Sequence, residues 1–304
     1  MTRQALDLTA LRPRLPSPLS ALPTEDERFA RHGVTLLLKR DDLIHPELPG
    51  NKWRKLSLNL AAAREQGYGT LVTFGGAYSN HLRATAAAGR LLGFRTVGIV
   101  RGDELAGRPL NPSLARCAAD GMRLHFVGRG PYREKGSPEG LARLLAGAGA
   151  EDAYVVPEGG SNALAVHGCV ELGRELRGAA DVVAVACGTG GTLAGLAAGL
   201  APGQRAVGVP VLKGGFLGEE VRALQTAAFG GPRGTWTLAE GFDGGGYARV
   251  PPHLEAFAAD FERRHGLAVE RVYVAKLLYA ALALTESGAF PRGTVLAAVV
   301  TGAP

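Results

Sequence analysis

Cysteine is scarce in these 304 residues. Cys117, Cys169 and Cys187 form an odd set whose spacings suit neither a disulfide framework nor a zinc site, so no metal is expected and a reducing cytoplasm is the expected compartment. Lysine is scarce too: of 34 basic residues only six are lysine, and the arginines are scattered from end to end. The formal charge of +6 therefore makes no basic stripe, and nucleic acid is not an expected partner. Long apolar runs are missing, because Val272 to Leu284 is interrupted by Lys276 and falls short of a bilayer span. Met1 to Ser20 mixes Arg3, Arg12 and Arg14 with three prolines and lacks the apolar stretch of a signal peptide, so no membrane partner is expected. The hydrophobic share of 46% against 20% charged residues excludes a disordered chain. This length exceeds what one ordinary core organises, which leads us to expect two lobes or one large α/β domain.

What is present is an alternation of short apolar runs with Ala/Leu-rich stretches of helical period, the pattern of a parallel sheet covered by helices. Strands are predicted at Thr35–Lys39, Thr70–Phe74, Thr96–Val100, Arg123–Val127, Ala153–Val156, Val182–Cys187, Arg205–Val209 and Val295–Val300. Helices are predicted at Lys52–Gln66, His81–Leu92, Asn111–Asp120, Pro138–Ala146, Ala163–Arg177, Thr192–Leu200, Leu217–Ala228, Pro252–His265 and Tyr273–Ser287. The series between residues 55 and 160 is self-contained, so the expected organisation is a larger domain of 1–54 and 161–304 with a smaller α/β domain of 55–160 inserted.

Two of the six lysines fall three residues apart in Gly50-Asn51-Lys52-Trp53-Arg54-Lys55-Leu56, where a helix begins. A helix N-terminus already carries about half a positive charge and favours anions, so three cations there imply a negative ligand. The plainer alternative is a solvated basic turn. A second segment runs from the strand Val182–Cys187 through Gly188-Thr189-Gly190-Gly191-Thr192 into a helix. Loop amides, a helix N-terminus and two threonine hydroxyls suit a phosphate, although the spacing is neither a dinucleotide fingerprint nor a P-loop. The alternative is a tight strand-to-helix turn with no ligand. A third, Gly75-Gly76-Ala77-Tyr78-Ser79-Asn80-His81, follows a strand; Ser79 and Asn80 are good helix caps and also stand where a strand end meets a ligand crevice. No Gly-x-Ser-x-Gly elbow exposes Ser79 as a hydrolase nucleophile, and His81 reads as a packing or capping residue. A lysine with a depressed pKa, a separate phosphate cradle and small polar groups facing a crevice are the parts a pyridoxal phosphate enzyme needs; Lys55 and Arg54 beside Lys52 are expected to supply the depression.

These motifs, with Lys39-Arg40-Asp41-Asp42, Pro157-Glu158-Gly159-Gly160-Ser161-Asn162, Gly245-Gly246-Tyr247 and Val272-Tyr273-Val274-Ala275-Lys276, resemble the 1-aminocyclopropane-1-carboxylate deaminase and D-cysteine desulfhydrase family. The likeness runs through nearly the whole chain. It implies a two-lobed, tryptophan-synthase-β-like, fold-type-II architecture of three-layer parallel-sheet domains, with pyridoxal 5'-phosphate as cofactor and a small amino acid as substrate. It makes Lys52 the Schiff-base lysine and the base at Cα, and sets Lys55 on the phosphate within a cup of Gly188, Thr189, Gly190, Gly191 and Thr192. It pairs Asn80 with the ring hydroxyl, sets Ser79 at the substrate carboxylate or makes it a helper nucleophile, and lines the substrate side with Tyr247 and Tyr273. A homodimer is also implied.

Departures from the family narrow the expectation. Val274 stands where the deaminases carry a glutamate, and a valine cannot keep the pyridine nitrogen protonated; Thr301 matches the family's late threonine, which by resemblance could hydrogen-bond that nitrogen instead. Tyr78 replaces a glutamine, which suggests a different substrate pocket, and Pro304 ends the chain short of the family's usual length. The resulting expectation is β-elimination from a small D-amino acid such as D-cysteine. The alternatives are deamination of 1-aminocyclopropane-1-carboxylate, a non-catalytic pyridoxal phosphate binder and a nucleotide-dependent enzyme using the glycine loop.

Overall fold

The computed structural model describes residues 6–48 and 50–302; Arg3 and Pro304 lie outside them. In chain order the first elements are β1 (Leu19–Ala21), α1 (Glu27–Ala30), β2 (Thr35–Lys39), α2 (Lys52–Glu65), β3 (Thr70–Gly75), α3 (Asn80–Leu92) and β4 (Arg95–Arg101). Then come α4 (Pro112–Ala119), β5 (Met122–Val127), α5 (Arg129–Arg133), α6 (Pro138–Gly147), β6 (Tyr154–Val156), α7 (Ala163–Arg174) and β7 (Val182–Cys187). The remainder are α8 (Gly191–Gly199), β8 (Arg205–Pro210), α9 (Leu217–Phe229), β9 (Trp236–Leu238), α10 (Pro252–His265), α11 (Val274–Glu286) and β10 (Val295–Val299).

The strands form two sheets, one of order β1-β2-β10-β7-β8-β9 and one of order β5-β4-β3-β6. Every pairing is parallel except β1 with β2. All six residues of β7 are buried, as a strand covered by helices on both faces requires, which is why Val182–Cys187 reads as unbroken apolar sequence. The predicted strands and helices are all present, with ends shifted by up to three residues. The structure adds β1, β9, α1 and α5, elements of three to five residues that are too short to show a period.

Helix starts follow local chemistry. Asn111, Ser137 and Asn162 each accept a backbone N–H of the first turn with the side chain, and Pro112 and Pro138 follow two of them. Glycine lets α7 press against its neighbours: a Cβ at Gly195 would lie 2.2 Å from the Val166 carbonyl oxygen, and one at Gly168 would lie 2.0 Å from that of Arg54. Such backbone contact locks α2 and α8, the two helices that begin at the predicted ligand motifs, onto one support. Among the described residues, no helix is long and apolar enough to cross a membrane.

Candidate active site

The carboxyl ends of the parallel strands open onto a cavity of about 750 Å³. Its lining includes every site residue expected from sequence: Lys52, Lys55, Ser79, Asn80, Gly188, Thr189, Gly190, Gly191, Thr192, Tyr247, Tyr273 and Thr301. A crevice outside the carboxyl ends of parallel strands is where open α/β sheets bind ligands.

One end is an anion cradle. Gly190 adopts φ +76° and precedes α8, and no side chain caps that helix's first amides. Lys55 donates from Nζ to Ser161 Oγ at 2.7 Å and to Thr189 Oγ1 at 3.4 Å, while the two hydroxyls lie 2.5 Å apart. A Cβ at Gly191 would come 2.7 Å from Ser161 Oγ and 3.4 Å from Lys55 Cε, so only glycine leaves this space free. Uncapped amides, a buried ammonium and clustered hydroxyls around a glycine-made hollow suit a phosphate dianion.

Lys52 sits on the first turn of α2, half-buried. Among the described residues its one hydrogen bond runs from Nζ to Asn51 Oδ1 at 3.3 Å. Asn51 in turn donates from Nδ2 to Thr192 Oγ1 at 2.7 Å and from its backbone N–H to the Thr301 carbonyl at 3.3 Å, which ties the starts of α2 and α8 to the segment after β10. Gly50 makes this junction feasible, since φ is +61° and a Cβ would overlap the Thr301 carbonyl at 1.6 Å. Burial pulls the Lys52 ammonium down to about 8. Burial, and then the charge of Lys52, pull Lys55 down to about 7.

Contrary to the expectation from sequence, Lys55 does not contribute to the lowering at Lys52, and neither does Arg54. It turns away from the cavity and makes a bidentate pair with Asp41 (2.8 and 2.9 Å) and another with Glu175 (2.9 and 2.9 Å). Ser17 Oγ donates to Asp41 at 2.7 Å, and Lys39 Nζ pairs with Glu175 at 2.5 Å. Charge spent on two carboxylates leaves nothing to destabilise a neighbouring ammonium.

Across the cavity, Ser79 caps α3 by accepting from the Leu82 N–H at 3.3 Å, so capping and facing the cavity coexist. The Tyr247 and Tyr273 rings meet edge to face at 6.2 Å. Burial raises both phenol pKa values, Tyr273 well above the ordinary range, so these hydroxyls hold protons at neutral pH. His81 is buried, with Nε2 2.8 Å from Thr73 Oγ1; burial, then Lys52 and Lys55, keep it neutral. Tyr78 is 64% exposed and is not part of the lining, so it does not reshape the substrate pocket as the sequence suggested. Val274 is buried in the core, away from the ligand space.

Three residues that position this site were given no role from sequence, although Ser161 and Lys276 lie in the motifs quoted above. Glu270 accepts the N–H groups of Val272, Tyr273 and Val274 at 2.7, 2.7 and 3.2 Å, anchoring the start of α11 and the Tyr273 backbone. Its signal was a carboxylate ahead of an apolar helical run. Lys276, fully buried, donates from Nζ to the Gly246 carbonyl at 2.9 Å and so holds the loop carrying Tyr247. Ser161 joins Lys55 to Thr189 from a loop distant in sequence, a contact no local pattern reveals.

A lysine of lowered basicity and a separate anion cradle, placed in one crevice of a two-sheet parallel α/β fold, define the class of enzymes that hold an aldehyde cofactor by its phosphate. The family model for pyridoxal-phosphate dependent enzymes matches residues 13–302, and the chain belongs to that family. A bifunctional D-cysteine desulfhydrase/1-aminocyclopropane-1-carboxylate deaminase of Arabidopsis thaliana, described as mitochondrial, is 37% identical over 213 residues, 62% of this chain and 52% of that protein. The match thus spans about half the length of the Arabidopsis relative. A Thermotoga maritima protein, provisionally named 1-aminocyclopropane-1-carboxylate deaminase, is 31% identical over 275 residues, 86% of each chain. A solved structure described as an ACC deaminase homologue superposes with TM-score 0.79 at 26% identity, over 97% of this chain and 94% of that one.

Proposed function

We propose that this chain is a lyase or deaminase of small amino acids that removes a β-substituent from a D-amino acid such as D-cysteine, giving a 2-oxo acid and ammonia. The observation that carries this reading is the meeting of Lys52, the anion cradle and two proton-holding phenols in one cavity. Pyridoxal phosphate, when bound, supplies the electron sink that acidifies the substrate Cα–H bond.

Lys52 would hold the cofactor and, when its amine is free, take the Cα proton at Nζ; an ammonium pulled down to about 8 is neutral often enough for that task. Lys55, Ser161, Thr189, Thr192 and the amides at the start of α8 grip the phosphate, and the dianion stabilises the charge on Lys55 that burial disfavours. Asn80 would orient the ring through its hydroxyl and Ser79 would bind the substrate carboxylate; both line the cavity. Tyr273 and Tyr247 keep a proton available at their hydroxyls for the departing group. Thr301, which lines the cavity, would serve the ring nitrogen, whereas Val274 faces the core and does not bear on the choice between elimination and ring opening.

The ring-opening reaction is the second reading, favoured by the names of the Arabidopsis and Thermotoga relatives. We further assign residues 1–54 and 161–304 to a cofactor-binding domain and 55–160 to a smaller one, and place the protein in the cytoplasm as a homodimer, the arrangement the family resemblance suggests. The test is product analysis with the purified holoenzyme. D-Cysteine is expected to yield sulfide and pyruvate, with 1-aminocyclopropane-1-carboxylate giving little 2-oxobutanoate; the reverse pattern favours the second reading.

A further inference from the structure

The cavity has a second charged end, opposite in purpose to the cradle. β3, β4 and β5 lie side by side, with Gly75 beside Val100 and Arg101 beside Val127, so their carboxyl ends open onto one place. The loop after β3 brings Ser79 to the cavity, β4 brings its last residue Arg101, and the segment after β5 brings Arg133 and Lys135. The Arg101 guanidinium lies over Gly76, where a Cβ would come 3.6 Å from Nη2. It also lies 5.7 Å from the centroid of the buried Tyr132 ring, which holds Lys135 Nζ at 4.4 Å. One ring thus steadies two cations at the cavity wall.

The negative charges lining the same cavity are already engaged or placed elsewhere. Glu158 pairs with Lys135 at 3.0 Å. Glu270 is occupied by three backbone amides. Glu220 belongs to the first turn of α9, whose Val221 packs on Gly190 at the cradle end. Among the described residues neither Arg101 nor Arg133 has a carboxylate partner, so the wall beyond Ser79 carries uncompensated positive charge. Arg101 also acts on the Tyr247 phenol, lowering its pKa against burial and against Glu270 and Glu158, which places the guanidinium, like those two carboxylates, within electrostatic reach of the substrate side.

We propose that Arg101, assisted by Arg133, is a specificity residue, and that among the β-substituted amino acids of that reading those with a second negative charge at the end of the side chain are bound in preference to neutral ones such as D-cysteine. The inference rests on the amino-acid reading of the site given above. With the α-carboxylate at Ser79 and the amine at Lys52, the side chain of a bound amino acid is directed to the remaining wall, where a planar guanidinium can clamp a carboxylate or phosphate through paired N–H donors.

The test uses the holoenzyme and matched pairs that differ in charge: aspartate with asparagine, and O-phosphoserine with serine, in both stereochemical forms, titrated against the visible cofactor band. The charged member of a pair is expected to bind about tenfold or more tightly, and its advantage to shrink as salt is raised. Arg101→Gln should reduce the charged-to-neutral affinity ratio by about tenfold, and Arg101→Lys should retain part of it. Equal affinity within each pair overturns the proposal. So does an equal loss for both members in Arg101→Gln, which would put Arg101 on the α-carboxylate. A band that responds to neutral amino acids but not to charged ones overturns this proposal alone, whereas a protein that takes up no pyridoxal phosphate overturns the reading beneath it as well.

Discussion

Replacing Arg54 with methionine removes the shared partner of two buried carboxylates while keeping a flexible side chain in its place. Asp41 is fully buried and retains only the Ser17 hydroxyl at 2.7 Å, while Glu175 retains Lys39. Breaking a buried ion pair from one side costs about 3–5 kcal/mol, because the surviving charge is stranded without solvent. Scaling the usual unfolding entropy per residue to this chain length converts that to a fall in Tm of about 5–8 °C. Calorimetry of the cofactor-free protein reads it. Adding Asp41→Asn to Arg54→Met should recover roughly half the loss, about 2 kcal/mol, since the stranded charge is then gone. The change also reaches the site: Arg54 lies between Lys52 and Lys55 on one helical turn, so freeing that turn should weaken pyridoxal phosphate binding by about tenfold or more beyond any unfolding. Glu175 is held below the ordinary carboxylate range, opposed by burial and lowered by Arg54 and Lys39. Its contribution is therefore fully present above that range, is lost as pH falls from that range through the lowered value, and should be smaller in Arg54→Met. A Tm shift under about 1 °C, the behaviour of a solvated surface pair, would refute the reasoning.

The remaining predictions concern the cavity. Lys55, lowered to about 7 by burial and by Lys52, must regain a proton when an anion enters the cradle. Sulfate, which does not titrate here, should bind with proton uptake at pH 8, none at pH 6, and falling affinity in between; calorimetry in buffers of different ionisation enthalpy measures this, and pH-independent binding contradicts it. Gly191→Ala keeps a helical residue but sets a methyl 2.7 Å from Ser161 Oγ. It should lower affinity for pyridoxal phosphate by about a hundredfold with little change for unphosphorylated pyridoxal, and equal losses would remove the cradle assignment. Lys276→Met frees the Gly246 carbonyl and the Tyr247 loop, so kcat should fall by about tenfold or more with the cofactor band retained. Unchanged turnover would take Tyr247 out of the proton-holding role.

The sequence carried the sheet-and-helix alternation because the central strands β3, β4, β7, β8 and β10 are largely buried runs rich in apolar residues, and such runs need no partner to be recognised. Val182–Cys187 is the clearest case, with every residue buried. β1 and β9 were illegible because three residues cannot display a period and their place at the edges of a sheet depends on distant strands. The two lysines announced a ligand through an electrostatic conflict that local sequence contains. What Arg54 does with its charge depended on Asp41 and Glu175, the latter 121 residues away, so adjacency to Lys52 misled. Ser161, Glu270 and Lys276 escaped for the same reason, since each acts through a backbone group or hydroxyl brought near only by folding. Tyr78 shows the converse: a substitution within a motif drew attention, yet its side chain points out to solvent.

The central claim is that Lys52 Nζ carries the cofactor while Lys55, only three residues away and the less basic of the two, grips its phosphate. Borohydride reduction of the holoenzyme, followed by proteolysis and mass spectrometry of the lysine-containing peptides, tests it most directly. The account predicts a phosphopyridoxyl group on Lys52 and its loss in Lys52→Ala. A label found on Lys55, or on any other lysine of the wild-type protein, would contradict it.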